Sequence, residues 1–280
     1  MLIHAAIGDA YGAGFEFEKP DIIAVENTLS SYKAHPLYTE IKGRYTDDTQ
    51  MALAITELML SGDEWTPERV ADGFVKAFQR DPRRGYSSRF YDVLLQVNSG
   101  TELLKVLQPH SERNGAAMRA YPIGLYSDRK EVLTKAALQA RITHDTPAGV
   151  ASAQAVALTA HYLTYNLGPK QYLGEFLVDE LKGGNWNLPW QSEVTMFAEQ
   201  AVRAAITLIQ SEFTLSNILK NGISLGGDVD TVGAIALGCA ANANEIENDL
   251  PKWMFQELEN GEFGRDYLAQ LDQDLRIRFL

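Results

Sequence analysis

Two short acidic runs carry the residues best suited to chemistry. The first is Thr46-Asp47-Asp48-Thr49-Gln50, ahead of the apolar run MALAITELML. The second is Gly226-Gly227-Asp228-Val229-Asp230-Thr231, ahead of VGAIALGCAAN. Each reads as a turn delivering carboxylates and hydroxyls to a helix start. Helix capping alone explains part of this: Asp47 as N-cap with Gln50 as its capping-box partner, and one of Asp228 and Asp230 as the cap of the second helix. It leaves a surplus carboxylate in each run. Alternation places Asp228 and Asp230 on one side of an extended segment, where their charges repel unless a cation lies between them. If the two runs meet, Thr46, Asp47, Asp48, Asp228, Asp230 and Thr231 form an all-oxygen set. Such a set suits hard divalent ions, Mg²⁺, Mn²⁺ or Ca²⁺, rather than Zn²⁺. Two ions a few ångströms apart would share these ligands and orient a water or a diol.

A third segment, Gly8-Asp9-Ala10-Tyr11-Gly12-Ala13-Gly14-Phe15-Glu16-Phe17, has three glycines in seven positions, a mark of close backbone approach or of a helix end. Glu16 and Glu18 lie two apart, so one of them is placed to point inward. Asn114-Gly115 leading into AAMRAY has the form of a glycine-containing loop that opens a helix and holds an anion on backbone N–H groups, or of an ordinary turn. Arg119 reads as helical, a candidate ion-pair partner. His144, just before Pro147, reads as a structural cap or a site residue.

The elements that must position these residues are helical. Val194, Phe197, Ala198, Ala201, Val202, Ala205, Ile206 and Ile209 form one stripe at helical spacing, and similar stripes run through Met51–Met59, Val70–Phe78, Val150–Leu163 and Tyr267–Phe279. Between them stand breakers, among them Gly62, Pro67, Gly100, Pro147, Gly222 and Pro251. Residues 20–42 lack a period and are expected to form a loop bordering the site. With no repeat or linker, the expectation is one all-α domain over residues 1–280.

Composition removes several classes. The chain has 280 residues, 45% hydrophobic and 22% charged, which is ordinary for a folded domain. Lys and Arg total 25 and Asp and Glu 37, a net charge of −12 that repels nucleic-acid phosphate. Cys239 is the only cysteine, so neither a disulfide framework nor a zinc–thiolate site is available. The apolar run from Val232 to Ala241 is about half the ~20 residues of a spanning helix. MLIHAAIGDAYG does not read as a signal peptide, and a cytoplasmic location is expected. Gly222-Ile223-Ser224-Leu225-Gly226 fits the nucleophile-elbow pattern but lacks the strand that pattern requires. His4, His35, His110 and His161 show no metal-binding spacing.

The motifs GDAYGAGFEF, GRYTDDTQMALAI, RNGAAMR, ITHDTP and GGDVDTVGAIALG, in this order, resemble those of the ADP-ribosylglycohydrolases. That family includes the dinitrogen-reductase-activating glycohydrolase and the ADP-ribosyl-acceptor hydrolases. The resemblance implies an all-α orthogonal helical bundle whose central cleft holds a dinuclear Mg²⁺ or Mn²⁺ centre. It implies Thr46, Asp47, Asp48, Asp228, Asp230 and Thr231 as metal ligands, and Glu16 or Asp47 as the catalytic carboxylate. It implies substrate contacts from Ser111, Asn114, Gly115, Met118, His144 and Tyr86, and an ADP-ribosylated protein or small-molecule conjugate as substrate. Two departures stand out. Arg113 occupies a position where relatives often have glycine, so altered backbone geometry is expected there. Arg83-Arg84 stand where some relatives carry an aspartate. The expected activity is metal-dependent hydrolysis of a glycosidic bond to ADP-ribose; the alternatives are a non-catalytic ADP-ribose binder and a di-metal nucleotide phosphohydrolase.

Overall fold

A computed structural model describes residues 1–280. The chain forms fourteen α-helices with short 3-10 turns and only isolated β-bridges. In order they are α1 (Leu2–Gly12), α2 (Pro20–Glu26), α3 (Asp47–Ser61), α4 (Pro67–Arg80), α5 (Ser88–Gln96), α6 (Gly100–Val106) and α7 (Arg129–Arg141). There follow α8 (Pro147–Thr164), α9 (Leu173–Leu181), α10 (Ala198–Ser211), α11 (Leu215–Ile223), α12 (Val229–Ala240), α13 (Lys252–Glu257) and α14 (Arg265–Phe279). One hydrophobic cluster draws on nearly all of them. No helix is long and apolar enough to cross a membrane.

Most breakers act as the sequence suggests. Pro67 opens α4 behind the Thr66 cap, and Pro147 opens α8 behind Thr146, whose hydroxyl accepts the Gly149 N–H at 3.1 Å. Gly62 ends α3 in the left-handed region. Gly222 differs: it lies inside α11, packed beneath Leu208 and Val232.

Two expected elements are corrected. Residues 20–26 are helix α2, not loop; Pro20 sits at the first turn beside Asp21, favourable to a helix start. Ile23 is the only buried residue of α2, so no apolar stripe marked it. The stripe assigned to Val194–Ile209 folds as helix only from Ala198. Val194 is buried as a bridge partner of Gly227, and Phe197 is 54% exposed.

The centre of the fold is the crossing of α1 and α12. Every residue of α12 is buried, and in α1 all but Ile3 and His4. They meet through small residues: a Cβ on Gly8 would stand 2.3 Å from the Gly233 carbonyl oxygen, and one on Gly12 2.4 Å from the Asp230 Cα. Backbone occupies that space, so no side chain can swing away. Gly8→Ala is therefore expected to destabilise by ~1–3 kcal/mol, the range for overpacking a core. Thermal melting would read this directly, and an unchanged Tm would mean that the two helices separate freely.

Candidate active site

Asp9 sets the geometry of the first acidic run. It is fully buried in α1. Its carboxylate accepts the Thr46 N–H at 3.0 Å, the Thr49 N–H at 3.1 Å and the Thr49 hydroxyl at 2.7 Å. These bonds satisfy donors that a helix start otherwise leaves orphaned. The N-cap of α3 is Thr46, not Asp47, with Thr46 Oγ1 accepting the Asp48 N–H at 3.4 Å. Gln50 makes no capping box: it donates to the Asp81 carbonyl and accepts from the Tyr86 hydroxyl. With capping done by Thr46 and Asp9, the carboxylates of Asp47 and Asp48 remain available.

The second run is placed by a glycine turn. Gly227 has φ +84°, and a Cβ there would stand 1.9 Å from the Val194 carbonyl oxygen, so only glycine fits. The Asp228 N–H donates to that same oxygen at 2.8 Å. Asp228 is then the N-cap residue of α12 and Asp230 lies in its first turn, not on the extended segment expected. No side chain caps α12; Asp228 instead accepts Asn114 Nδ2–H at 2.9 Å. Helix capping therefore accounts for neither acidic pair.

The two runs meet with Glu16 at one end of a cavity of about 640 Å³. That volume is typical of a small-molecule site. Glu16, Asp47, Asp48, Asp228, Asp230 and Thr231 line it, as do Tyr86, Ser111, Asn114, Gly115, Met118 and His144. Thr46 lies one layer behind, buried, with its hydroxyl 3.3 Å from Asp48 Oδ2. One carboxylate oxygen each from Glu16, Asp228 and Asp230 lie within 4.8 Å of one another. Asp48 Oδ1 and Asp230 Oδ1 are buried without any hydrogen-bond partner. Unpaired buried anionic oxygens are costly, and a hard divalent cation is the partner this donor set fits.

The electrostatics agree. Burial, reinforced by Asp9, Glu16 and Asp228, pushes Asp47 well above the usual carboxylate range. Burial and the charges of Asp47, Asp9 and Asp228 do the same to Asp48. Burial raises Asp228, and burial with Glu16, Asp228 and Asp48 raises Asp230 strongly. Burial lifts Asp9 to about 6 against the hydrogen bonds it accepts from Thr46 and Thr49. Raised folded-state values mean that folding takes up protons, so stability from these groups is complete below about 3.8 and lost as pH rises. His4 and His144, both lowered to about 3 by burial, work in the opposite sense, but only below their ordinary 6.5. Divalent ions bind the deprotonated carboxylates, so the rise in Tm given by Mg²⁺ or Mn²⁺ is expected to be larger at about pH 8 than at about pH 5. An equal rise at both values would mean that the ions do not bind these carboxylates.

The remaining walls correct several expectations. Asn114–Ala116 forms a 3-10 turn rather than opening a helix, and the Asn114 N–H is spent on the Met196 carbonyl at 3.0 Å. Arg113 has φ −75° and ψ 172°, ordinary extended backbone, so the glycine-to-arginine departure does not distort the loop. Arg119 is neither helical nor in a salt bridge. It is buried and donates to the Gln139 side chain at 2.5 Å, the Gln139 carbonyl at 3.0 Å and Thr143 Oγ1 at 2.8 Å. His144 caps no helix; its Nδ1 lies 2.6 Å from Thr143 Oγ1. Arg119 donates to that same oxygen, so Thr143 links the two side chains. Arg83 turns away from the cavity to pair with Asp81 and Glu259. Gly85, at φ +108°, brings the chain so close that a Cβ would stand 2.2 Å from Asp47 Oδ1. The elbow-like Ser224 follows helix α11, and its hydroxyl donates to the Lys220 carbonyl.

Sequence reasoning passed over Asp9, Thr143 and His35. A lone aspartate inside the apolar run LIHAAIGDAYG is the signal for Asp9, Thr143 lies within the motif ITHDTP beside His144, and nothing in the chain marks His35.

The ADP-ribosylglycohydrolase family model matches residues 1–279. The chain belongs to the ADP-ribosylglycohydrolase family. It is 29% identical over 271 residues to ADP-ribosylhydrolase ARH3 of Xenopus tropicalis, covering 89% of this chain and 76% of that protein. It is 25% identical over 262 residues to the ADP-ribosyl-(dinitrogen reductase) glycohydrolase of Rhodospirillum rubrum, covering 91% and 87% respectively. A solved ADP-ribosylglycohydrolase-related protein complex superposes with a TM-score of 0.79 at 21% identity, covering 100% of this chain and 96% of the other, and so shares the fold. The family's name states its reaction, hydrolytic release of ADP-ribose.

Proposed function

We propose that this chain is a metal-dependent hydrolase that removes ADP-ribose from a modified acceptor, a protein side chain such as arginine or a small-molecule conjugate. The observation that carries the reading is the pair of buried, unpartnered oxygens, Asp48 Oδ1 and Asp230 Oδ1, at the acidic end of the cavity. Thr46, Asp47, Asp48, Asp228, Asp230 and Thr231 would hold two Mg²⁺ or Mn²⁺ ions. Bound there, the ions supply charge compensation for the aspartates, a grip on ribose hydroxyls and a more acidic water. Glu16 or Asp47 takes the proton of the water that attacks the anomeric carbon as the bond to the acceptor breaks through an oxocarbenium-like transition state, and the departing acceptor atom leaves with that proton or one from solvent. Asn114 orients Asp228, leaving its amide oxygen and the Gly115 backbone for the ligand. His144 offers the Nε2 edge of its ring, and burial keeps that ring neutral, its pKa lowered to about 3. Tyr86, Ser111 and Met118 complete the wall around the nucleotide end. A cytoplasmic location belongs to the same reading, resting on the lone Cys239.

The test is a panel of arginine-, serine-, acetyl- and nucleic-acid-linked ADP-ribose, with free ADP-ribose alongside. Each is assayed after EDTA treatment and after adding back Mg²⁺ or Mn²⁺. Turnover is expected to vanish without metal and return with it, and ADP-ribose is expected to leave intact. Full turnover by demonstrably metal-free protein would overturn the metal role. Cleavage of free ADP-ribose at its diphosphate would make the protein a phosphohydrolase instead.

A further inference from the structure

Glu16 is held by a side chain outside the acidic motifs. It follows the 3-10 turn Ala13–Phe15, and its neighbour Phe17 adopts a left-handed φ of +50° while its N–H donates to the Gly227 carbonyl. That path brings the Glu16 side chain, 24% exposed, beside Asp228 and Asp230. Three carboxylates so close repel, and a glutamate on a partly exposed segment would by itself swing toward solvent. His35 opposes this. Its ring is only 3% exposed, with Nε2 2.6 Å from Glu16 Oε2. On the other side, Nδ1 receives the Leu37 N–H at 2.9 Å and the Tyr38 N–H at 3.1 Å. Two main-chain donors make Nδ1 the acceptor, so the ring hydrogen sits on Nε2 and points at Glu16. The turn carrying His35 is itself closed by the bond from its N–H to the Ile41 carbonyl and by the Ala34–Lys42 bridge, and the ring packs on Tyr38.

We propose that His35 is a positioning residue for Glu16: its Nε2–H binds Oε2, fixes the carboxylate against Asp228 and Asp230, and leaves Oε1 as the oxygen that receives the proton of water. This rests on the reading above in which Glu16 does that work. Because Nδ1 is occupied by main-chain amides, His35 holds Glu16 and passes no proton onward.

The test compares kcat and KM on an ADP-ribosylated substrate for His35→Ala, His35→Gln, Glu16→Gln and the His35→Ala/Glu16→Gln double variant. Calorimetric binding of ADP-ribose and the ¹⁵N signature of the His35 ring in the unliganded wild-type protein accompany it. His35→Ala should lower kcat ~10–100-fold, the scale of losing an orienting partner, with KM and ADP-ribose affinity nearly unchanged. His35→Gln, whose amide nitrogen takes the place of Nε2, should recover most of the rate. The double variant should be no slower than Glu16→Gln alone. The ring should show a protonated Nε2 and a bare Nδ1. If Glu16→Gln is slow but His35→Ala is not, or if the two losses multiply, the positioning role is wrong while the reading of Glu16 stands. If Glu16→Gln itself runs at the wild-type rate, both fall. Should His35→Ala fail to fold, His35→Gln and the ring signature decide: a slow glutamine variant or a protonated Nδ1 overturns the proposal.

Discussion

Asp47→Asn, Asp48→Asn, Asp228→Asn and Asp230→Asn should each cut turnover by at least ~10²-fold, the scale of losing one preorganised electrostatic contact, in a protein that stays folded. The two halves of this expectation have separate causes. Turnover falls because each carboxylate belongs to an all-oxygen set with two unpartnered buried oxygens. The fold holds because none of the four is a working helix cap: Thr46 caps α3, and α12 has no side-chain cap. Removing one charge from a set whose members raise one another should leave metal-free stability equal or slightly higher. Thr46→Ala is the contrast, losing a cap worth ~0.5–2 kcal/mol. Steady-state turnover and melting of the same preparations separate the two effects. Near-native turnover in all four variants would reduce the acidic runs to structural turns.

The sequence made these residues visible because their number exceeded any structural need. A TDDT run and a GGDVDT run ahead of apolar helices cannot all be caps, and that surplus was countable without coordinates. The supports were hidden for physical reasons. Asp9 acts across 37 and 40 residues of chain, on Thr46 and Thr49, and a lone buried aspartate looks the same whether it caps a distant helix or is simply paired. The cap assignment slipped by one residue, from Thr46 to Asp47, because both are good N-caps and the decision was made by Asp9 from another helix. α2 escaped notice because it buries a single side chain, so helical periodicity had nothing to register. The backbone at Arg113 is ordinary because φ −75° and ψ 172° form an extended conformation that any residue adopts.

Glu16→Gln is expected to lose 10²–10⁴-fold in rate, about what removal of a general base costs, while ADP-ribose affinity changes little. Gln keeps the shape and can still accept from His35, but it has no charge with which to take a proton. The affinity is expected to be spared because the proposed ligand contacts come from Asn114, Gly115 and His144, which line the same cavity. Glu18→Gln is the matched control. Glu18 does not line the cavity; it pairs with Lys33 at 3.1 Å and accepts the Lys19 N–H at 2.9 Å. Its loss should cost at most the ~0–1 kcal/mol of a surface pair and leave turnover intact. Turnover on an ADP-ribosylated substrate and calorimetric titration with ADP-ribose, on both variants, make the comparison. Equal small losses would leave Asp47 as the base, and a large loss at Glu18 would mean that the glutamates have exchanged roles.

The glycine-to-glycine crossing of α1 and α12 also governs when the protein becomes competent during synthesis. Gly8 and Gly233 touch, and Asp228 finds Asn114 across 114 residues of chain, so no fragment that ends before α12 assembles the acidic end. A nascent chain must hold α1 without its main partner until α12 has left the ribosome, with a nearly all-apolar helix lacking cover. Closing so long a loop is expected to make assembly of the cleft slower than formation of the local helices. Refolding should show cleft formation as its last phase, accelerated by the divalent ions that neutralise the two acidic runs as they come together.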